Sequence, residues 1–74
     1  MKNYNSDIGN WLRKAREQRG LHQQDVADHF GVTKTAVSYW ENGDRTITAE
    51  TMIEYCLFLG VDPQKLVREV TGGD

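Results

Sequence analysis

The most informative part of the sequence is LHQQDVADHFGVTKTAVSYWENGDR, residues 21–45. Two short apolar patterns with helical spacing flank its central glycine. They consist of Val26, Ala27 and Phe30 before Gly31, and of Val37 and Trp40 after it. Gly31 suits the left-handed backbone that ends a helix, Val32 is expected to plug the corner, and Thr33 is a good N-cap. The stretch therefore predicts a helix, a four-residue turn and a second helix.

Similar signals occur on both sides of this stretch. Further glycines follow segments with helical spacing, as expected just past helix ends: Gly20, Gly43 and Gly60. Plausible helix starts precede these segments: Ser6 or Asp7 for the first, Thr33 for the third, Thr48 for the fourth, and Asp62 with Pro63 for the fifth. The second helix has His22 at its cap position, with Asp25 suited to its positive end.

The remaining apolar residues are also spaced as helical faces. The first helix carries Ile8, Leu12 and Ala15; the fourth carries Ala49, Met52, Ile53, Cys56 and Leu57, ending near Leu59; the last carries Leu66, Val67 and Val70. No alternating strand pattern competes with these helices. The sequence therefore predicts one all-α domain of five helices over residues 1–74, with the central motif at about 22–43.

Length and composition limit the class of protein. The chain has 74 residues, of which 38% are hydrophobic and 27% charged, as in an ordinary globular domain. No apolar run approaches the roughly 20 residues of a membrane helix, and the polar start is no signal peptide. Cys56, the one cysteine, cannot form an internal disulfide. We therefore expect a cytoplasmic protein without membrane association, and the tail at 71–74 looks like a natural end.

The formal net charge of −2 is unusual for a DNA-binding domain. Residues 1–45 hold seven Lys and Arg against six Asp and Glu, a difference of +1. Residues 46–74 hold two against five, a difference of −3. The acidic surplus thus lies in the C-terminal part, and composition alone does not indicate DNA.

The order of a helix, a tight turn and a second helix is the helix-turn-helix layout, in which the second helix enters the DNA major groove. The sequence resembles the phage repressor and Cro helix-turn-helix family, the XRE family. The matching residues include Gly20, Leu21, Gln23, Val26, Ala27, Gly31, Val32, Thr33, Val37, Ser38, Trp40, Glu41, Asn42 and Gly43. The similarity continues from about Ile8 to Val67. The resemblance implies a compact, lambda-repressor-like fold and a transcriptional regulator that binds double-stranded DNA.

Two positions depart from the family pattern. His22 replaces the usual Ser or Thr cap, and Ile47 stands where a proline is common. Both changes affect local geometry and leave the family assignment intact.

Helical geometry predicts which side chains contact DNA bases. With Val37 and Trp40 turned inward, the exposed face of the third helix carries Lys34, Thr35, Ser38 and Tyr39. These residues lie toward the N-terminal half of the helix, the part that reaches base edges in this docking mode. Lys34 can donate to guanine and Thr35 can offer its methyl group to thymine.

Phosphate contacts are expected elsewhere. Gln23 begins the second helix, where free amides and the helix dipole favour an anion, and the resemblance makes it a phosphate contact. Asn42 and Arg45, just past the third helix, are placed to hold the DNA backbone. In the family the positions of Arg16 and Glu41 form a structural ion pair beneath the motif, and Arg16 is a further candidate for phosphate contact.

Several large apolar residues remain. Trp40 is expected in the core because of its spacing from Val37. Trp11, Leu57 and Phe58 cannot easily share one small core, so they are candidates for a dimer interface. In the family the C-terminal helices commonly supply this interface, which points to residues 49–70.

Catalytic and metal sites find little support. His22 and His29 lack a third ligand, Ser38 lacks a histidine base, and no glycine-rich phosphate loop is present. Cys56 reads as a small core residue. We expect no enzyme activity, no metal and no cofactor.

The sequence thus favours a homodimeric regulator on an inverted-repeat operator, with half-sites roughly 34 Å apart. Repression by blocking polymerase is the simplest mode of action, and a phage repressor, a restriction-modification controller and an antitoxin all remain open. One alternative is a protein-interaction module on the same fold, with an unknown protein partner. Another is a fragment of a larger regulator.

Overall fold

The computed structural model describes residues 3–73, and all regular secondary structure within that range is helical. Helix α1 spans Asn5–Gln18, α2 Gln23–Phe30, α3 Lys34–Asn42, α4 Ala49–Leu59 and α5 Pro63–Thr71. The expected five-helix, all-α fold is confirmed. Met1, Lys2 and Asp74, which belong to the predicted domain of residues 1–74, lie outside the described residues.

Most helix starts agree with the predicted caps. The side chains of Thr33, Thr48 and Asp62 each accept a hydrogen bond from a backbone N–H in the first turn that follows. The first helix differs, because it begins at Asn5 rather than after Ser6 or Asp7. Since the carbonyl oxygen of Tyr4 already accepts from the N–H of Ile8 at 2.8 Å, Ser6 and Asp7 lie within the helix.

The core lies where α1, α2, α3 and α4 meet, and α5 closes it from the side of α1 and α4. Its fully buried residues are Leu12, Val26, Ala27, Val37, Tyr55 and Cys56. Ile47 also belongs to it, with 8% of its surface exposed, so the residue that replaces the family's proline anchors the loop between α3 and α4.

Helices α1 and α3 approach each other at backbone distance. A Cβ atom built on Gly9 would lie 2.3 Å from the carbonyl oxygen of Trp40 and 2.5 Å from that of Glu41. No side chain fits in such a space. The last turn of α3 therefore rests directly on the backbone of α1.

Three predicted details of packing are wrong. On α4 the buried face consists of Tyr55, Cys56 and Leu59, whereas Ala49, Ile53 and Leu57 are exposed. Val67 on α5 is 45% exposed, although it was assigned to the apolar face of that helix. Val32 is 38% exposed and does not plug the corner. Phe30 packs α2 against α3, because its ring meets that of Trp40 edge-on at 5.2 Å.

Candidate nucleic-acid interface

The turn between α2 and α3 fixes the direction of α3. Gly31 ends α2 with φ of 68°, in the left-handed region that favours glycine, and the N–H of Val32 donates to the carbonyl oxygen of Ala27 at 3.0 Å. Thr33 then caps α3 by accepting from the N–H of Ala36 at 3.1 Å. Beneath the helix, Val37 is fully buried. Together these contacts hold the opposite face of α3 toward solvent.

The four residues predicted to contact bases all lie on α3, but they are not equally exposed. Lys34 and Thr35, in the first turn, are exposed. Ser38 and Tyr39, one turn later, are half-buried. The face thus projects most strongly at its N-terminal end, which is the end that reaches base edges when such a helix docks in the major groove.

Two further predicted residues contact this face. The guanidinium of Arg45 lies 4.3 Å from the centroid of the Tyr39 ring, a cation–π arrangement. Asn42, predicted just past α3, is its last residue, and its Nδ2 donates to Ser38 Oγ at 3.4 Å. The structure therefore brings Tyr39 together with Arg45, and Ser38 together with Asn42.

Arg16 and Glu41 form a buried ion pair between α1 and α3. Arg16 Nε donates to Glu41 Oε2 at 2.8 Å, and Arg16 Nη2 donates to Oε1 at 3.0 Å. The remaining contact, from Nη1 to the carbonyl oxygen of Leu21 at 2.8 Å, ties the same guanidinium to the segment before α2. Such two-pronged geometry is typical of strong arginine–carboxylate pairs.

Gln23 is the first residue of α2 and is half-buried. Its Nε2 donates to Glu41 Oε1 at 3.0 Å, so the predicted phosphate contact is attached to the ion pair. Together with Arg16 and Lys34 it lines a surface concavity at the N-terminal end of α2. Asp25 lines the same concavity, and the charge of Arg16 is paired with Glu41, so the attraction for an anion there comes from Lys34 and the positive end of the helix dipole.

Tyr55 is a member of this network that the sequence analysis missed. Its side chain is fully buried, and its hydroxyl donates to Glu41 Oε2 at 2.5 Å. In the sequence it lies within an apolar stretch of α4, fourteen residues from Glu41. Only the packing of α4 against the other helices brings the two groups together, and no local sequence signal marks that contact.

The network also sets the charge states of its members. Burial opposes ionisation of Glu41, but hydrogen bonds from Arg16, Tyr55 and Gln23 outweigh it, so the pKa of this carboxyl lies below its ordinary value. The hydrogen bond to Glu41 raises the pKa of Arg16. Burial, followed by the bond to Glu41, raises the pKa of Tyr55. At neutral pH the cluster therefore holds one cation, one anion and a neutral phenol.

The three candidates for a dimer interface differ in their surroundings. Trp11 is half-buried, and its Nε1 donates to Glu69 Oε1 on α5 at 2.7 Å. Phe58 is half-buried and its ring stacks on that of His29 at 4.3 Å. Leu57 is 60% exposed and follows Ile53, which is 43% exposed, by one helical turn. On α4, Leu57 and Ile53 thus form an exposed apolar strip.

Within residues 3–73, no three His, Cys, Asp or Glu side chains are grouped as metal ligands. Burial, with a smaller effect of Asp62, raises the pKa of the Cys56 thiol to about 11, which keeps it protonated and unreactive. None of the helices described is long and apolar enough to cross a membrane.

Comparison with known proteins agrees with this geometry. The sequence profile of the family described as "Helix-turn-helix" matches residues 12–66, which include α2, α3 and the whole buried network. A Bacillus subtilis (strain 168) protein named "Uncharacterized HTH-type transcriptional regulator YqaE" is 35% identical over 57 residues, 77% of this chain. The match covers 49% of that relative, so the chain spans about half of its length.

The family match and the name of this relative point to a DNA-binding regulator and not to an enzyme. The predicted recognition is therefore confirmed: this chain belongs to the XRE family of helix-turn-helix proteins.

Proposed function

We propose that this chain is a cytoplasmic DNA-binding transcriptional regulator, a repressor that binds an inverted-repeat operator as a homodimer. In this proposal α3 lies in the major groove of each half-site. Repression follows from occupancy of the operator, which excludes polymerase.

The observation that carries the proposal is the exposed N-terminal face of α3. Lys34 and Thr35 are exposed on a helix whose other side is fixed by the buried Val37 and Glu41. A rigid helix with free side chains at its first turn is what base readout requires. In our assignment Lys34, Thr35, Ser38 and Tyr39 contact bases.

Phosphate contacts come from both ends of the motif. Gln23 and Arg16 line the concavity at the start of α2, and Asn42 and Arg45 lie at and beyond the end of α3. Arg16 is only 7% exposed and already makes three hydrogen bonds within the chain, so its contribution is a positive potential more than a new bond. Arg45 is exposed, and its guanidinium over the Tyr39 ring supplies a positive charge beside the base-contacting face.

Dimerisation is assigned to residues 49–70, with Leu57 as the main contact. An exposed apolar side chain on α4 is suited to a symmetric interface, because the two-fold axis brings the same residue from both copies together. Trp11 and Phe58, which pack within the chain, would then lie at the border of that interface.

The test is selection of bound duplexes from a random DNA pool, followed by a salt titration of binding to the enriched sequence. We expect an inverted repeat with half-sites about one helical turn apart, and an affinity that falls steeply with salt. The absence of any enriched sequence, together with weak binding at low salt, would overturn the DNA-binding proposal.

Two substitutions then test the base contacts. Lys34→Ala and Thr35→Ala should each cost about 1–3 kcal/mol on the selected duplex and relax the preference at one base position. The matched control is Lys65→Ala, which removes an exposed lysine from α5. A control that changes base preference as strongly as Lys34→Ala would contradict the assignment.

A second candidate is a protein-interaction module on the same fold. The exposed Leu57 and Ile53 and the net charge of −2 favour it. On this alternative, DNA binding is weak with a small dependence on salt, and the apolar face of α4 contacts a different protein.

A further inference from the structure

The Glu41 carboxylate is held by donors from three other helices. Oε2 accepts from Tyr55 and from Arg16 Nε, while Oε1 accepts from Gln23 and from Arg16 Nη2. Each oxygen thus has two donors, and the carboxylate is fixed both in its plane and in its rotation. With 3% of Glu41 exposed, water has little access to replace a lost donor.

Tyr55 is the contribution of α4 to this cluster. Its ring is fully buried in the core, so its hydroxyl has no freedom to seek another partner. A hydroxyl in that position is costly to bury unless it is hydrogen-bonded, and Glu41 satisfies it. The bond therefore fixes the carboxylate to the core on the side away from the motif's outer surface.

Gln23 lies at the other end of the same chain of contacts. A carboxamide has two N–H groups on one planar nitrogen. Since one of them donates to Glu41 Oε1, the direction of the other is determined. Gln23 lines a concavity together with Arg16, Lys34 and Asp25, and in the proposed complex its second N–H donates to a phosphate bound there.

We propose that Tyr55 is a positioning residue for DNA-phosphate binding: its hydroxyl fixes the Glu41 carboxylate, which in turn orients the Gln23 carboxamide toward the phosphate. This inference rests on the proposed function. It makes α4, which lies outside the helix-turn-helix, part of the phosphate site.

The first test uses the free protein and Tyr55→Phe, which removes the hydroxyl and keeps the ring in the core. In the wild type the two Nε2 protons of Gln23 should be well separated in an NMR spectrum, with one shifted by its bond to Glu41. In Tyr55→Phe we expect this separation to shrink toward that of the exposed Gln18 and Gln64. Unchanged Gln23 signals would overturn the proposal.

The control for a general loss of stability is Cys56→Ala. Cys56 is also fully buried on α4, but it takes no part in the hydrogen bonds to Glu41. We expect it to lower the melting temperature while leaving the Gln23 amide signals unchanged. Equal changes in both variants would mean that any loosening of α4 disturbs Gln23, and the specific role of the hydroxyl would be wrong.

The second test is a double-mutant cycle on the selected DNA duplex. Tyr55→Phe should weaken binding by about 3- to 10-fold, the usual range for one hydrogen bond. In a Gln23→Ala background the same substitution should have almost no further effect, because both act on one phosphate contact. Fully additive losses would overturn the proposal.

These outcomes separate the inference from the function on which it rests. If duplexes bind and Tyr55→Phe binds them as tightly as the wild type, the positioning role is wrong and the proposed function stands. If no duplex binds at all, the phosphate role fails with the proposed function, and the amide signals still report whether Tyr55 orients Gln23.

Discussion

Glu41 shows how a single buried charge can organise a small domain. Its carboxylate accepts hydrogen bonds from α1, α2 and α4 while it belongs to α3 itself. An unpaired charge at this position would be strongly unfavourable, whereas a fully bonded one orders every helix that contributes a donor. The ion pair therefore matters less as an attraction between two charges than as a fixed point shared by four helices.

We predict that Glu41→Gln destabilises the fold by roughly 3–5 kcal/mol at neutral pH, because it leaves the Arg16 guanidinium buried without a counter-charge. Urea unfolding followed by circular dichroism measures this loss. Glu50→Gln, an exposed change in the first turn of α4, is the matched control and should stay within about 1 kcal/mol of the wild type. A Glu41→Gln variant that unfolds at the same urea concentration as the wild type would show that the ion pair is dispensable for stability.

The stability of the wild type and that of Glu41→Gln should depend differently on pH. Because the pKa of Glu41 is lower in the folded than in the unfolded chain, its ionised form stabilises the fold above the unfolded pKa. That contribution is lost as the pH falls through the folded pKa. The gap in stability between wild type and Glu41→Gln should therefore shrink in acid, and a constant gap down to that range would contradict this account.

The role of a residue could be predicted from the sequence only where the residue matches a known family pattern. The pairing of Arg16 with Glu41 follows from the family resemblance, since the two residues are 25 positions apart. Tyr55 has no such signal, because a tyrosine in an apolar stretch reads as an ordinary core residue. Its hydroxyl reaches Glu41 only because of the way α4 packs against the other helices, and this packing is a property of the tertiary structure.

Among the helices, the contact between α1 and α3 is the closest. Gly9 lies in the middle of α1, where glycine normally weakens a helix. The structure explains the residue by the carbonyl oxygens of Trp40 and Glu41, which occupy the space of a side chain. The cost in helix propensity is thus offset by the close approach of the α1 and α3 backbones, which only glycine permits at this position.

We predict that Gly9→Ala destabilises the domain by about 1–3 kcal/mol, the usual range for overpacking, despite the better helix propensity of alanine. Thermal unfolding measures the change. Asn10→Ala, at the next and exposed position of α1, gains propensity without the clash but loses the hydrogen bond from Arg13 Nη2 to Asn10 Oδ1, so it should be close to neutral. Stabilisation by Gly9→Ala would mean that the helices separate more easily than their packing indicates.

Helix positions were more predictable than helix faces. Caps and glycines are local signals, and they located the starts of α3, α4 and α5. The faces of α4 were assigned wrongly because apolar residues occur on all of its sides, from Met52 to Leu59. Periodicity cannot choose between such faces, and the burial of Tyr55 in place of Ile53 is decided by contacts with other helices.

For the molecule as a whole, the distribution of apolar surface separates the three interface candidates. Trp11 and Phe58 each have an intramolecular partner, in Glu69 and His29. Leu57 and Ile53 leave an apolar strip on α4. The sequence could identify all three candidates as too many for one core, but it could not tell which of them remains exposed.

We predict that Leu57→Gln raises the dissociation constant of the proposed dimer by roughly tenfold or more, because burial of a leucine contributes about 1.5–3 kcal/mol. Analytical ultracentrifugation across a concentration series measures this constant. Val32→Gln, which changes an exposed apolar residue outside residues 49–70, is the control and should leave self-association unchanged. An unchanged dimer in Leu57→Gln would exclude α4 as its main contact.

The close approach of α1 to α3 has a consequence for how such a protein can change its target. Since the end of α3 rests on the main chain at Gly9, its placement depends little on the side chains that point outward. Residues 34, 35, 38 and 39 can therefore vary together without moving the helix that carries them. In the proposed complex the domain is a fixed support for the side chains that contact bases, so new operator preferences are accessible to it, in evolution or by engineering, without a new fold.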